Sequence, residues 1–143
     1  MYSFLLNLHS GFRYVVLILL VIALFNAIIA WTSKKPYTEA HRKLNLFTMI
    51  SAHIQFLSGL MLYFYSPWVK FQPINETMKD QALRYWTVEH LAMMLFAIIL
   101  ITVGHSRSKK AAGPSNKHRA ISIFYGLAVL IILSAITQSG RHL

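Results

Sequence analysis

The sequence predicts an all-α integral membrane protein: a four-helix up-down-up-down bundle with both termini on the outer side. Three observations predict this fold. Of the 143 residues, 56% are hydrophobic and 13% are charged, and the mean hydropathy of +0.50 is high for a soluble domain. Long charge-free runs recur along the chain, and basic residues cluster between some of these runs.

The apolar runs have the length of membrane spans. A helix needs ~20 residues to cross ~30 Å of hydrocarbon, and three charge-free runs reach that length: 14–33, 44–69 and 120–140. A fourth run, 86–104, is interrupted only by Glu89 and His90. The runs are continuously apolar rather than alternating, which favours helices over a β-barrel. The sequence therefore predicts one domain, 1–143, with four transmembrane helices at about 4–32, 44–67, 84–106 and 118–138.

The basic residues predict the orientation. Nine Lys and Arg residues fall in segments 33–43 and 107–119, against four on the other side, with Arg13 set aside. By the positive-inside rule both basic segments are cytoplasmic, so we expect an inner-membrane protein with its N-terminus outside. Basic clusters beside membrane spans indicate contacts with anionic lipid rather than with nucleic acid. The first helix is too long for a signal peptide and lacks a basic segment before it, so we expect it to be retained.

Two histidines are predicted at nearly the same depth. His9 and His90 lie about five and six residues inside helices 1 and 3, or roughly 8–9 Å below the outer boundary at ~1.5 Å per residue. These helices are diagonal in a bundle with short loops. Two imidazoles that face each other across a bundle can ligate a six-coordinate haem iron. Since the chain has no cysteine, covalent attachment is excluded and haem b is the expected form. The alternative is that both histidines are interfacial and hydrogen-bonded to headgroups or carbonyls.

Residues near these histidines extend the candidate site. Arg13 follows His9 at i+4 and therefore shares its face of helix 1. A guanidinium at this depth needs an anion, which we expect to be Glu89 or a haem propionate, unless Arg13 extends outward to the interface. Met94 follows His90 at i+4 and gives that face an apolar side chain beside the cofactor.

His53 leaves four interpretations open, and one of them is a second bis-histidine haem site with His118. It lies near the middle of the bilayer, where an imidazole needs a partner. With Gln55 it could line a polar pocket for a quinone head group, or it could replace His9 as the partner of His90. Alternatively, it is a core histidine that is hydrogen-bonded to a hydroxyl of Ser51, Ser58 or Tyr125.

Three further histidines, His41, His105 and His118, lie near the predicted cytoplasmic face. We expect solvated loop residues there, with a weak transition-metal site as the alternative. The chain has only four acidic residues and lacks the common nucleotide-binding and hydrolytic motifs, so hydrolytic chemistry is not indicated.

Four short segments carry a resemblance: Leu8-His9-Ser10-x-x-Arg13, His53-x-Gln55-x-x-x-Gly59-Leu60-x-Leu62-Tyr63-Phe64, Val88-Glu89-His90-x-x-x-Met94 and Ile123-Phe124-Tyr125. In these segments the chain resembles short four-helix bacterial membrane proteins that are described as cytochrome b-like. The resemblance covers essentially the full length and implies that His9, His53 and His90 are candidate haem ligands. More remotely, the chain is similar to four-helix cytochrome b modules that exchange electrons with quinones.

Two classes of function follow from these observations. The first is a b-type cytochrome-like electron carrier that exchanges electrons with quinol or a respiratory partner. The second is a non-catalytic accessory subunit of a larger membrane complex, whose polar residues only fix helix packing. Both classes require protein partners in the bilayer, and a homodimer is a further expectation.

Overall fold

The computed structural model describes residues 2–65 and 89–138, which form four helices. These are α1 (Tyr2–Thr32), α2 (Glu39–Tyr65), α3 (His90–Lys110) and α4 (Pro114–Gln138). All four are long and apolar enough to cross a membrane. The prediction of an all-α fold with four potential spans is therefore confirmed for these residues. The predicted start of the third helix at 84 lies outside them.

Helix α2 begins five residues before the predicted position, because capping extends it beyond the apolar run. The backbone N–H of Thr38 donates to Nδ1 of His41 at 3.1 Å, and the N–H of His41 donates to Oγ1 of Thr38 at 3.4 Å. This reciprocal arrangement is a capping box in which histidine takes the place of the usual Glu or Gln. Hydropathy therefore marks the part of the helix suited to lipid, and Thr38 marks where the helix starts.

The C-terminal end of α3 and the start of α4 are also set by local features rather than by hydropathy. Helix α3 continues past position 106 to Lys110, with Arg107 and Lys109 in its last turn, where positive charge interacts favourably with the helix dipole. Helix α4 begins at Pro114, and proline is tolerated in a first turn because its missing N–H would have no partner within the helix.

The link between α1 and α2 is a tight helix-ending turn. The N–H of Lys35 donates to the Ala30 carbonyl at 2.9 Å, and the N–H of Lys34 donates to the Trp31 carbonyl at 3.3 Å. This pair of bonds is the Schellman motif, which needs a left-handed residue, and Lys34 supplies it with a φ of 55°. Pro36 follows and prevents the helix from continuing.

Among the described residues, each helix packs mainly against two others. Helix α1 contacts α2 and α4, and α3 contacts the same two helices. The buried core is rich in alanine, and small residues let helices approach closely in a membrane; it comprises Val16, Leu20, Ala23, Ala27, Ala52, Ile101, Ile121, Tyr125, Ala128 and Val129. At Gly104 on α3, an added Cβ would lie only 2.5 Å from Cβ of Phe124. Glycine is therefore required where α3 meets α4.

Helix α2 has its polar side inside the bundle and its apolar side outside. Asn45, Thr48, Ser51 and Ser58 are buried, whereas the exposed side chains of this helix are largely apolar, among them Phe47, Ile50, Ile54, Leu57, Met61 and Phe64. The three buried hydroxyls each donate to a backbone carbonyl three or four residues earlier in the helix. An apolar exterior around a satisfied polar interior indicates a lipid bilayer as the environment.

Candidate functional site

The candidate site lies between α1 and α2 and is called the His9 site below; it comprises His9, Arg13, Gln55, Ser58 and Gly59. Nδ1 of His9 lies 2.9 Å from Oγ of Ser58, and Nε2 of Gln55 donates to the His9 carbonyl at 2.8 Å. A Cβ added at Gly59 would lie 3.0 Å from Cε1 of His9. The imidazole is therefore fixed from α2 by a hydroxyl and by close contact with a glycine.

The hydrogen bonds of Ser58 favour one tautomer of His9. The Ser58 hydroxyl donates to the Gln55 carbonyl at 2.8 Å, and a carbonyl oxygen can only accept. Having used its one proton there, the hydroxyl accepts from Nδ1 of His9. In a neutral imidazole with the proton on Nδ1, the unprotonated nitrogen is Nε2.

Arg13 shares the His9 face of α1, one turn further along the helix. One of its terminal nitrogens donates to the Tyr14 hydroxyl at 2.9 Å, and the guanidinium carbon lies 4.7 Å from the centroid of the Tyr14 ring. Nε of Arg13 is buried and has no hydrogen-bond partner in the described structure. The site thus contains a cationic group with one donor directed into a buried region.

His53 takes part in helix packing. Its Nε2 lies 2.8 Å from Oγ1 of Thr102 on α3, and that hydroxyl donates its proton to the Ile98 carbonyl at 2.7 Å. By the argument applied to Ser58, Nε2 of His53 carries a proton and donates it to Thr102. The hydroxyl that contacts His53 belongs to α3, whereas the sequence suggested a hydroxyl of α2 or α4. The amide of Gln55 contacts the backbone of α1.

His90 is the first residue of α3, and both His90 and Met94, one turn further on, are half-buried. The pairing of His90 with His9 stays a prediction. Among residues 2–65 and 89–138, no group of three or more His, Cys, Asp or Glu side chains could hold a metal ion. A haem iron needs only two axial protein ligands, since the macrocycle supplies the other four.

A second histidine-containing group, called the loop cluster below, joins the α1–α2 link to α2 and α4; it comprises Tyr37, His41, Asn45, His118 and Tyr125. The rings of His41 and His118 pack edge to face with centroids 4.8 Å apart, and both lie within 6 Å of the Tyr37 ring. Nε2 of His118 donates to the Pro36 carbonyl at 3.2 Å. The amide of Asn45 donates to the Tyr37 hydroxyl at 3.0 Å, and the Tyr125 hydroxyl donates to the Asn45 carbonyl at 2.8 Å.

The expectation that His41, His105 and His118 are solvated loop residues is wrong. All three lie on helices, and His105 and His118 are only 3% and 1% exposed. His41 lies on the extended start of α2, whereas His105 and His118 fall within the predicted spans 84–106 and 118–138 and are buried by helix packing. Nδ1 of His105 is buried and has no hydrogen-bond partner within the described ranges.

Four apolar helices with an inward polar side define the class: a multi-pass α-helical membrane protein. Comparisons of the chain with protein-family models, curated proteins and solved structures found no match.

Proposed function

We propose that the protein is a membrane b-type cytochrome-like electron carrier, with haem b held between transmembrane helices by His9 and His90. The observation that carries this proposal is the hydrogen bond from Nδ1 of His9 to Ser58. Histidines that bind metals through Nε2 commonly donate Nδ1–H to an oxygen, which fixes the tautomer and the ring orientation. His9 has that arrangement.

The hydrogen bond of His53 argues against His53 as the first ligand. Nε2 of His53 is engaged by Thr102, so ligation through that nitrogen would break a link between α2 and α3. We therefore assign the second ligand to His90 and a packing role to His53. The resemblance to cytochrome b-like proteins is consistent with either choice.

The remaining residues of the site also suit haem b. Among the described residues the buried Nε of Arg13 has no hydrogen-bond acceptor, and a propionate would supply one in a charge-assisted bond. On the His90 side, Met94 and the buried Ala97 give α3 an apolar surface with little side-chain bulk. When bound, haem supplies a one-electron change at iron. The role of the protein residues is to fix the imidazole rings and to exclude water.

We also propose the topology that the charges indicate: an up-down-up-down bundle in the inner membrane, with both termini outside. Two contacts support opposite directions for α1 and α2, since His9 contacts Ser58 and the Thr48 hydroxyl lies 3.4 Å from the Leu19 carbonyl. The short links 33–38 and 111–113 support the same arrangement within each helix pair. In this topology the His9 site lies in the outer half of the bilayer. It would receive electrons from quinol or a respiratory protein and pass them to a partner on the outer side.

The test is the haem content of the protein purified from haem-replete cells. We expect b-type bands in a pyridine haemochrome spectrum and about one haem per chain, as expected for one bis-histidine site. His9→Ala and His90→Ala should each lose the haem, whereas the matched variant His53→Ala should retain it. A colourless wild-type protein, or haem that persists in both ligand variants, would overturn the proposal.

A non-catalytic accessory subunit is the second candidate. The observation that favours it is the use of buried polar side chains in helix packing, as in the contact of His53 with Thr102 and that of Thr48 with the Leu19 carbonyl. Under this alternative the protein is colourless and co-purifies in fixed stoichiometry with a respiratory complex. Replacing His9 would then alter assembly of that complex without a spectral change.

A further inference from the structure

One polar side chain of α1 faces outward within the membrane span. Asn26 is exposed, as are Ile22 and Ile29, the residues one turn before and after it. The stretch between Arg13 and Lys34 is free of charge and about 31 Å long at ~1.5 Å per residue, which matches the thickness of the hydrocarbon core. Asn26 lies roughly 12 Å from Lys34 along this stretch. Its amide is therefore placed in hydrocarbon rather than at an interface.

The amide of Asn26 is only partly satisfied by its own helix. Nδ2 donates to the Ile22 carbonyl at 3.0 Å, and this is the amide's one hydrogen bond among the residues that the structure describes. A side-chain amide has two N–H donors and an acceptor oxygen. One N–H of Asn26 and its acceptor oxygen therefore remain without a partner among the described residues. Leaving such groups unpaired in lipid is costly, which is why polar residues on a lipid-facing surface indicate an interaction site.

We propose that this face of α1 binds a second copy of the same chain, with the two Asn26 amides paired across a twofold axis along the membrane normal. Two copies inserted in the same orientation bring position 26 opposite position 26. An amide is complementary to itself, because each copy donates one N–H and accepts another. The second copy is therefore the occupant that the chemistry of this residue fits best.

The surrounding surface suits close packing of α1 against α1. Exposed residues recur at spacings of four and three along the helix, as in helix pairs that pack side by side; they are Gly11, Val15, Ile18, Ile22, Asn26 and Ile29. A Cβ at Gly11 would meet nothing within 4 Å, so a neighbouring backbone can approach there. The large exposed side chains of α2 within the membrane, in contrast, are apolar and offer no hydrogen bond to a partner.

The absence of cysteine from the chain makes the test direct. Single variants Ile22→Cys and Ile29→Cys, oxidised in native membranes, should form disulfide-linked dimers. The matched control Ile54→Cys, on the exposed side of α2, should not. Adding Asn26→Leu should weaken association of the Ile22→Cys chain roughly three- to fifteen-fold, the range typical of interhelical hydrogen bonds in membranes. Asn26→Gln retains the amide and should largely restore association.

Other outcomes would overturn this proposal. Equal crosslinking at all three cysteine positions would indicate random collision, and crosslinking insensitive to Asn26→Leu would show that the amide is not at the interface. Loss of a different co-purifying protein in Asn26→Leu, without any homodimer in the wild type, would assign the surface to that protein. Helix content and thermal unfolding of Asn26→Leu, measured in detergent, check that its fold is unchanged.

Discussion

The His9 site and the loop cluster both place histidine rings between helices, yet they bond those rings differently. In the loop cluster, the imidazole of His118 bonds to the Pro36 carbonyl, and that of His41 contacts both the backbone N–H and the hydroxyl of Thr38, so each completes a helix end or a link. In the His9 site, the imidazole donates to a side-chain hydroxyl whose own proton is already used. The role of a buried histidine in this bundle therefore depends on which ring nitrogen is hydrogen-bonded and on the group that it bonds to.

The largest effect should come from the loop cluster. His118→Ala removes a nearly fully buried ring that packs on Tyr37 and His41, and large-to-small changes in a core cost about 2–5 kcal/mol of unfolding free energy. We expect a marked loss of stability in detergent titrations, while the haem content of the folded fraction is unchanged. Wild-type stability in this variant, or selective loss of haem, would contradict the structural role assigned to the loop cluster.

The next effect should appear at the His9 site and in affinity rather than stability. Ser58→Ala removes the acceptor for Nδ1 of His9, and loss of such an outer partner typically weakens metal binding about 10- to 100-fold. Haem titration of the apoprotein measures this change. Ser51→Ala is the matched control, because the Ser51 hydroxyl is also buried but, within the described residues, bonds to the Thr48 carbonyl alone. Equal affinity in both variants would contradict the role assigned to Ser58.

The smallest effect should be a gain in stability beside the loop cluster. Lys34 adopts a left-handed conformation with a φ of 55°, which costs an L-residue roughly 1–2 kcal/mol and costs glycine almost nothing. Lys34→Gly should therefore raise the thermal midpoint slightly. Lys35→Gly, which lacks the left-handed geometry, should not, so a similar gain in both variants would rule out this explanation.

Much of the fold could be predicted from hydropathy, because a membrane span is a long-range average over about 20 residues. The ends of the helices could not be predicted in this way. Helix α2 starts at a capping box formed by Thr38 and His41, and α4 starts at Pro114, both outside the apolar runs. These ends depend on local hydrogen bonds that hydropathy does not measure.

The candidate site was predicted in part. The i+4 spacing placed His9 and Arg13 on one face of a helix, but contact with Ser58 depends on the register between α1 and α2. The packing of His41 against His118 joins residues 77 positions apart in sequence, and no local pattern marks it. Contacts between helices therefore could not be predicted from the sequence alone.

The inward polar side of α2 has a consequence for membrane assembly. Its serine and threonine hydroxyls are already bonded within the helix, so they add little to the cost of inserting α2 alone. Three other groups bond to different elements: the Gln55 amide to α1, the His53 imidazole to α3, and the Asn45 carbonyl to Tyr125 on α4. Once inserted, α2 would therefore provide polar contacts that position each of the other three helices.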